Sequence, residues 1–592
     1  MDRRNFLSLG LGAVTASALP STFIGAATTT VARNHSHLSP MLYGLPRKST
    51  DLPAWFASMK QWGVQQWMAF GTYLPTYWHD DGPVASSVAF LSNVWPGFAS
   101  HLDAKELAAQ EKNLRNMEEL CNSNGIEFWY MLPFPIFPTL NMSMVQKVAP
   151  DLFKSGNLNL YDPRLCDLLK AEVRAIKQAL PSLRGINFWL SEGTGSAGDV
   201  IGDNLEQNAR WEEPLLRAFD EVTQELGIRG ILFCHHYLQT IKTHRNVYQL
   251  MQKFPRLILM DDITWPEEDM LHPFLGYLPP QDRTLLFEKN PVALNFLLDT
   301  EYIGEGILPS AYPRWFQHNV QESQRSGVQI AMGRVFFWDD GRTDVNFNRL
   351  NAHMFTRFCR EPGLDAHQAL TDAAHEMFGS AIDPRLIEIL WQTEPIVKQV
   401  IGINGVDSFN HSRFPSPQYI DALYTPRDNC MKAVDDLFSA PGTKLYPPPT
   451  DSLNNYKQWR WQNKTVSRSA ETELAEKRQA AEWIESVLPD VEKHAAALAP
   501  KHRDLFVNGY KILLVLAYGM EIFVETAALH YQWAHAKTID DGRARTTFRA
   551  LSSRMREVAA TMPANPFGYQ QQMIEFADFL GTKIPRISQA KP

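Results

Sequence analysis

From about Leu38 to Gly379 the chain alternates short apolar runs with longer segments whose apolar residues recur every three to four positions. That alternation is the signature of βα units around a parallel sheet. Eight runs read as strands: Met41 to Gly44, Val64 to Phe70, Ile126 to Pro133, Gly185 to Ser191, Gly230 to His235, Arg256 to Asp261, Ala293 to Asp299, and Val328 to Phe337. Helical periodicity fills the intervals, as in Ala104 to Ser123, Pro163 to Leu180, Glu213 to Leu226 and Trp315 to Ser326. Eight strands with crossover helices close most naturally into an α/β fold, the (β/α)8 TIM barrel. Beyond Asp383 the short apolar runs stop and long helical patterns take over, broken by Tyr446-Pro447-Pro448-Pro449. The expected organisation is a signal segment over 1–30, a barrel over 31–380 and a helical C-terminal domain over 381–592.

Composition narrows the class. The chain has 592 residues, 44% hydrophobic and 21% charged, with a net charge of −8. Such a chain folds around large cores and lacks the basic stripe that nucleic acid demands. Met1-Asp2-Arg3-Arg4-Asn5-Phe6-Leu7, followed by a weakly apolar run and small residues near Ala27, reads as a twin-arginine export signal, which implies a periplasmic destination. The apolar stretch Ile512 to Leu529 contains Glu521 and Glu525 and reads as a buried bundle helix, so no membrane span is expected in the mature chain. Five cysteines, scattered and odd in number, suggest buried thiols, and no spacing suits a metal. The oligomeric state stays open, a homodimer included.

In such barrels the active site gathers at the C-terminal ends of the strands, and here those ends carry acids and aromatics. The fourth strand ends Trp189-Leu190-Ser191-Glu192-Gly193, which makes Glu192 the leading candidate for a catalytic acid. The sixth ends Asp261-Asp262-Ile263-Thr264-Trp265; adjacent strand residues point to opposite sides, so one aspartate at most faces the mouth squarely. After the seventh strand come Glu301 and Tyr302, and after the eighth the turn Trp338-Asp339-Asp340-Gly341, where an indole face beside carboxylates suits a sugar ring. His235 and His236 follow the fifth strand and are placed to bond hydroxyls. Each acid has a plainer alternative, since carboxylates at strand ends also bind loop amides. Taken together they match glycoside cleavage, in which one protonated carboxyl donates to the leaving oxygen and a second, ionised one activates water or attacks the anomeric carbon. That chemistry needs no cofactor.

The order of these residues resembles the α-glucuronidase family of xylan-debranching glycoside hydrolases. Tyr161-Asp162-Pro163-Arg164 through Ser191-Glu192-Gly193 is similar to that family's fourth βα unit, and Thr300-Glu301-Tyr302-Ile303-Gly304 to its seventh-strand motif. Gly333 through Asn351-Ala352-His353 to Phe378-Gly379 runs parallel to its eighth unit. The likeness spans residues 38 to about 430 and is distant. It implies Glu192 as general acid and Glu301 as the residue activating water, with Asp262 the nearest acid to the family's sixth-strand aspartate. It also implies a departure: Phe188, Phe233 and Asp261 stand where the family has the basic residues that hold the glucuronate carboxylate. An inverting glycosidase with an altered, neutral sugar pocket follows, lined by Trp189, His235, His236, Asp261, Trp265, Tyr302, Trp338, Asp339 and Asp340. Met260-Asp261-Asp262-Ile263 also resembles the paired aspartates of substrate-assisted N-acetylhexosaminidases, which place the pair on the fourth strand. A sugar-binding barrel without catalysis is the remaining alternative.

Overall fold

The structure, a computed structural model, describes residues 38–44, 51–70, 104–133, 146, 149–154, 157–190, 205–234, 241–261, 280–298, 300, 303–335, 346–403, 406–407, 409, 412–415 and 470–582. Eight parallel strands close a barrel: β1 (Ser39–Gly44), β2 (Gln66–Phe70), β3 (Glu127–Pro133), β4 (Gly185–Leu190), β5 (Arg229–Cys234), β6 (Ile258–Asp261), β7 (Val292–Leu297) and β8 (Ile330–Arg334). Each pairs with its neighbours in chain order, and β8 returns to β1, where Met41 lies opposite Met332. All eight apolar runs of the sequence therefore become barrel strands, most of them trimmed by a residue or more at the ends.

Both faces of each strand are buried, so alternation sorts the side chains into two cores. Met41, Tyr43, Met68, Trp129, Met131, Trp189, Ile231, Phe233, Ile258, Met260, Ala293, Ile330 and Met332 fill the lumen. The alternate residues, among them Leu42, Trp67, Phe128, Ile186, Phe188, Leu232, Leu259, Leu294 and Ala331, join an outer core beneath the helices. Each large side chain buried in this way contributes about 1.5–3 kcal/mol relative to exposure. The lumen is unusually rich in methionine and aromatic rings, and glycine makes room for one of them: a Cβ at Gly185 would sit 2.2 Å from the Trp129 ring.

Between and beyond the strands run α1 (Leu52–Trp62), α2 (Ala104–Asn124), α3 (Arg164–Ala179), α4 (Leu205–Glu225), α5 (Ile241–Met251), α6 (Pro280–Phe287), α7 (Pro313–Arg325), α8 (Asn348–Arg360) and α9 (Ala366–Phe378). Aspartates start several helices by accepting orphan amides: Asp51 from Ala54 N–H at 3.1 Å and Asp365 from Gln368 N–H at 2.9 Å. Further along come α10 (Pro384–Ile401), α11 (Ala470–Ala495), α12 (Pro500–His530), α13 (Asp541–Ala559) and α14 (Tyr569–Thr582). Their apolar faces share one continuous core with the outer layer of the barrel. α12 is long and apolar enough to cross a membrane, and 67% of its most apolar window is buried against other helices. Its acids Glu521 and Glu525 are largely covered and paired, Glu521 meeting Arg478 at 2.7 Å and Glu525 the same arginine at 3.2 Å. Cys121 and Cys359 are buried and Cys166 is half-buried, each a free thiol.

Candidate active site

Parallel strands in a closed barrel all end at one rim, so Leu190, Cys234, Asp261, Leu297 and Arg334 mark the same end of the molecule. The acids singled out from the sequence come just after those residues. Glu192 is the second residue past Leu190, Asp262 follows Asp261 directly, and Glu301 is the fourth past Leu297. Glu192, Asp262 and Glu301 themselves lie outside the described residues, as do His235, His236, Trp265, Tyr302, Trp338, Asp339 and Asp340. Around the barrel β4 and β7 are separated on one side by β5 and β6, which puts their ends on opposing parts of the rim.

Two of the expected ligand contacts fall on strands. Trp189 is 4% exposed and stacks on Phe233, ring centroids 5.7 Å apart at 17°. The pair forms an aromatic floor beneath the rim rather than an open sugar platform. Asp261 closes β6, its backbone in register with Cys234 and Leu294. Of the two phenylalanines that stand where the resembled family has basic residues, Phe233 is in the lumen, whereas Phe188 faces the helices and packs on Phe219 at 5.1 Å. The Asp162-Pro163-Arg164 motif has a structural use. Arg164 bonds Asp162 at 2.7 Å and also pairs with Asp151, pinning the start of α3 and holding both carboxyls below their usual range.

Arg334 was not foreseen. It ends β8 in the phase of Ile330 and Met332, which face the lumen, and it is 5% exposed. A guanidinium so placed is costly unless acceptors surround it, and it supplies positive charge at the rim where the strands end. The sequence signal was a single cation inside an apolar strand run. Beside Arg334 in register, Tyr43 Oη donates to Asn295 Oδ1 at 2.8 Å, and elsewhere in the lumen Asn187 Nδ2 reaches Met260 Sδ at 3.7 Å.

The segment after β7 is equally distinctive. Thr300 (φ 49°) and Glu305 (φ 44°) hold left-handed backbone conformations, at a cost of about 1–3 kcal/mol each. Gly304 and Gly306 flank Glu305 with φ of 76° and 82°. Thr300 carbonyl accepts from Ile303 N–H at 2.8 Å and from Glu305 N–H at 3.1 Å. Its hydroxyl donates to Asn348 Oδ1 at 2.8 Å, and Asn346 Nδ2 donates to Glu305 carbonyl at 2.9 Å. Glu305 is buried and its charge, after burial itself, helps push the buried Tyr569 hydroxyl upward in pKa.

Comparison with known proteins finds shape and little else. No family model matches the chain, and no curated protein does. Among solved structures, the fold is similar to that of a GH138 enzyme targeting pectin rhamnogalacturonan II, with a TM-score of 0.59 and 11% identity over 94% of this chain and 68% of that one. A mutant of the Thermobaculum terrenum O-GlcNAc hydrolase aligns over 94% of this chain and 97% of its own at 10% identity, with a TM-score of 0.42. At 11% identity the likeness to the GH138 enzyme concerns the fold alone.

Proposed function

We propose that this chain is a glycoside hydrolase cleaving a terminal glycosidic bond of a polysaccharide-derived oligosaccharide, with Glu192 as general acid and Glu301, assisted by Asp262, activating water. The observation that carries the reading is the closed parallel barrel, which brings the ends of β4, β6 and β7 to one rim, each followed in the sequence by an acid. Location at the C-terminal rim is where barrel enzymes assemble their chemistry. Inversion is the expected outcome, and it asks for two carboxyls about 6.5–9.5 Å apart so that water fits between them. The same reading takes 31–380 as the catalytic barrel, the helices from 381 on as a second domain, and the twin-arginine segment as a route to the periplasm.

One observation favours a second reading of the sugar. The sequence argued for a neutral ring because the expected basic positions are phenylalanine and aspartate, but Arg334 puts a buried cation at the rim. An acidic sugar would be neutralised there through charge-assisted hydrogen bonds. The structural neighbour's target, pectin rhamnogalacturonan II, makes pectic oligosaccharides the first substrates to try.

The test is incubation of the full chain with pectic rhamnogalacturonan II oligosaccharides, glucuronoxylan oligosaccharides and N-acetylglucosaminides, following the anomer of each released sugar by NMR. Glu192→Gln and Glu301→Gln should each lower turnover about 10³-fold without unfolding the protein. Undiminished turnover in Glu192→Gln would overturn the assignment. Strong inhibition by a thiazoline mimic of N-acetylglucosamine would instead favour the substrate-assisted alternative.

A further inference from the structure

Among the described residues four non-glycine positions have positive φ, and three of them, Thr300, Glu305 and Ser412, meet at one junction. Ser412 lies well beyond the barrel in sequence, yet its Oγ accepts the Gly304 N–H at 2.7 Å, across 108 residues, and it is fully buried. Helix α12 also presses on this segment through a glycine. A Cβ at Gly509 would stand 2.8 Å from the Ile307 carbonyl oxygen, so any larger residue there must move backbone. The start of α8 completes the clamp: Phe347 N–H donates to Gly306 carbonyl at 3.0 Å, and a Cβ on Gly306 would stand 1.6 Å from Asn346 Oδ1. The segment 303–307 is thus held by three elements distant from one another in the chain, and none of these contacts is needed to close the barrel.

We propose that Ser412 and Gly509 are positioning residues: the chain beyond the barrel, through a turn at Ser412 and helix α12 at Gly509, sets the conformation of the segment after β7 and through it the placement of Glu301. The proposal rests on the reading of Glu301 as a site carboxylate. Thr300 immediately precedes that residue, and Ile303, bonded back to Thr300, comes two positions after it. Both neighbours of the Glu301-Tyr302 pair are therefore anchored, and the anchor extends through Gly304 to Ser412. A displacement of about 1 Å at a reacting group can cost on the order of 10²-fold in rate, so a rigid mount has direct catalytic value. Strain of this kind persists only where surroundings over-determine it.

The experiment uses the full chain and two readouts. Hydrogen–deuterium exchange of the peptide spanning 299–307 reports the mount itself. Hydrolysis of pectic rhamnogalacturonan II oligosaccharides, measured as reducing ends, reports its consequence. Ser412→Ala, which removes the acceptor, and Ser412→Gly, which removes it while relieving the left-handed strain, should both speed exchange at Gly304 at least about tenfold and lower kcat at least about tenfold, with KM within about twofold. Gly509→Ala should act in the same direction through Ile307. Exchange unchanged in both Ser412 variants overturns the mount. Faster exchange with kcat unchanged overturns its positioning role. A parent chain that turns over none of the oligosaccharide refutes the glycosidase reading on this substrate, and exchange then still decides the clamp.

Discussion

At the rim where the barrel strands begin, charge stays wet: Arg229 and Glu127 pair at 2.5 Å with side chains 48% and 42% exposed, and Arg229 lies over the Trp129 ring at 4.6 Å. At the rim where the strands end, Arg334 is 5% exposed, and Thr300 and Glu305 hold left-handed conformations beneath buried asparagines. The same eight strands support both ends, so topology cannot account for the difference. Exposed pairs such as the first are worth about 0–1 kcal/mol and serve closure and solubility. A buried cation and strained backbone cost stability, and both stand at the end where barrel enzymes assemble their sites.

The contrast can be broken with matched substitutions. Arg334→Met should lower stability by about 3 kcal/mol or more, because it strips a buried charge from the acceptors around it, while Arg229→Met should cost less than about 1 kcal/mol. Thermal midpoints of the two variants measured side by side check this, and equal shifts would erase the distinction between the rims. Gly306 and Gly327 offer a smaller and cleaner pair, with φ of 82° and 86°. Alanine at Gly327, on the strand-start side with nothing within 4 Å of its Cβ, should cost about 1 kcal/mol from backbone conformation alone. Alanine at Gly306 adds a collision with Asn346 and should cost about 3 kcal/mol. Similar midpoints for both would mean that the post-β7 segment yields easily and is no mount.

Much of this architecture was legible in the chain. Each of the eight strands is a short apolar run long enough to be buried on both faces, and such runs survive any packing around them. Burial on both faces is also why phase was illegible. Nothing local distinguishes Phe188, which turned to the helices, from Phe233, which turned to the lumen. Arg334 could have been found, as the lone charge in Ile330–Arg334. Ser412 and Gly509 could not, since their significance lies in contacts with Gly304 and Ile307, residues far away in the chain. The strand-end acids were read from position alone, and their positions past the described strand ends agree with that reading without testing it.

The smallest expected effect concerns the wall between the two rims and separates its acid sensitivity from theirs. His353 on α8 is 7% exposed and stacks on Trp62 with centroids 5.6 Å apart, while Arg349 covers the same ring at 5.2 Å. Burial pushes its pKa down to about 4, against the opposing pull of Glu376 and Asp372 and with the repulsion of Arg357 and Arg349. A histidine with a depressed folded-state pKa is neutral when folded and takes up a proton on unfolding below about pH 6.5. Its contribution is whole above that pH and drains away as pH falls toward 4. At pH 5.5 the loss is about 1 kcal/mol. The carboxylates held low by arginine or lysine partners, such as Asp151, Asp162 and Glu213, add their own losses only below their ordinary range near pH 4. Between pH 6.5 and 5.5 buried Glu212, whose carboxyl pKa burial pushes up to about 8, adds stability as pH falls and opposes the histidine's loss. The comparison is therefore between proteins: over that window the thermal midpoint of His353→Gln should fall less, or rise more, than the parent's by the equivalent of about 1 kcal/mol. The same change in both proteins would take the acid sensitivity away from His353.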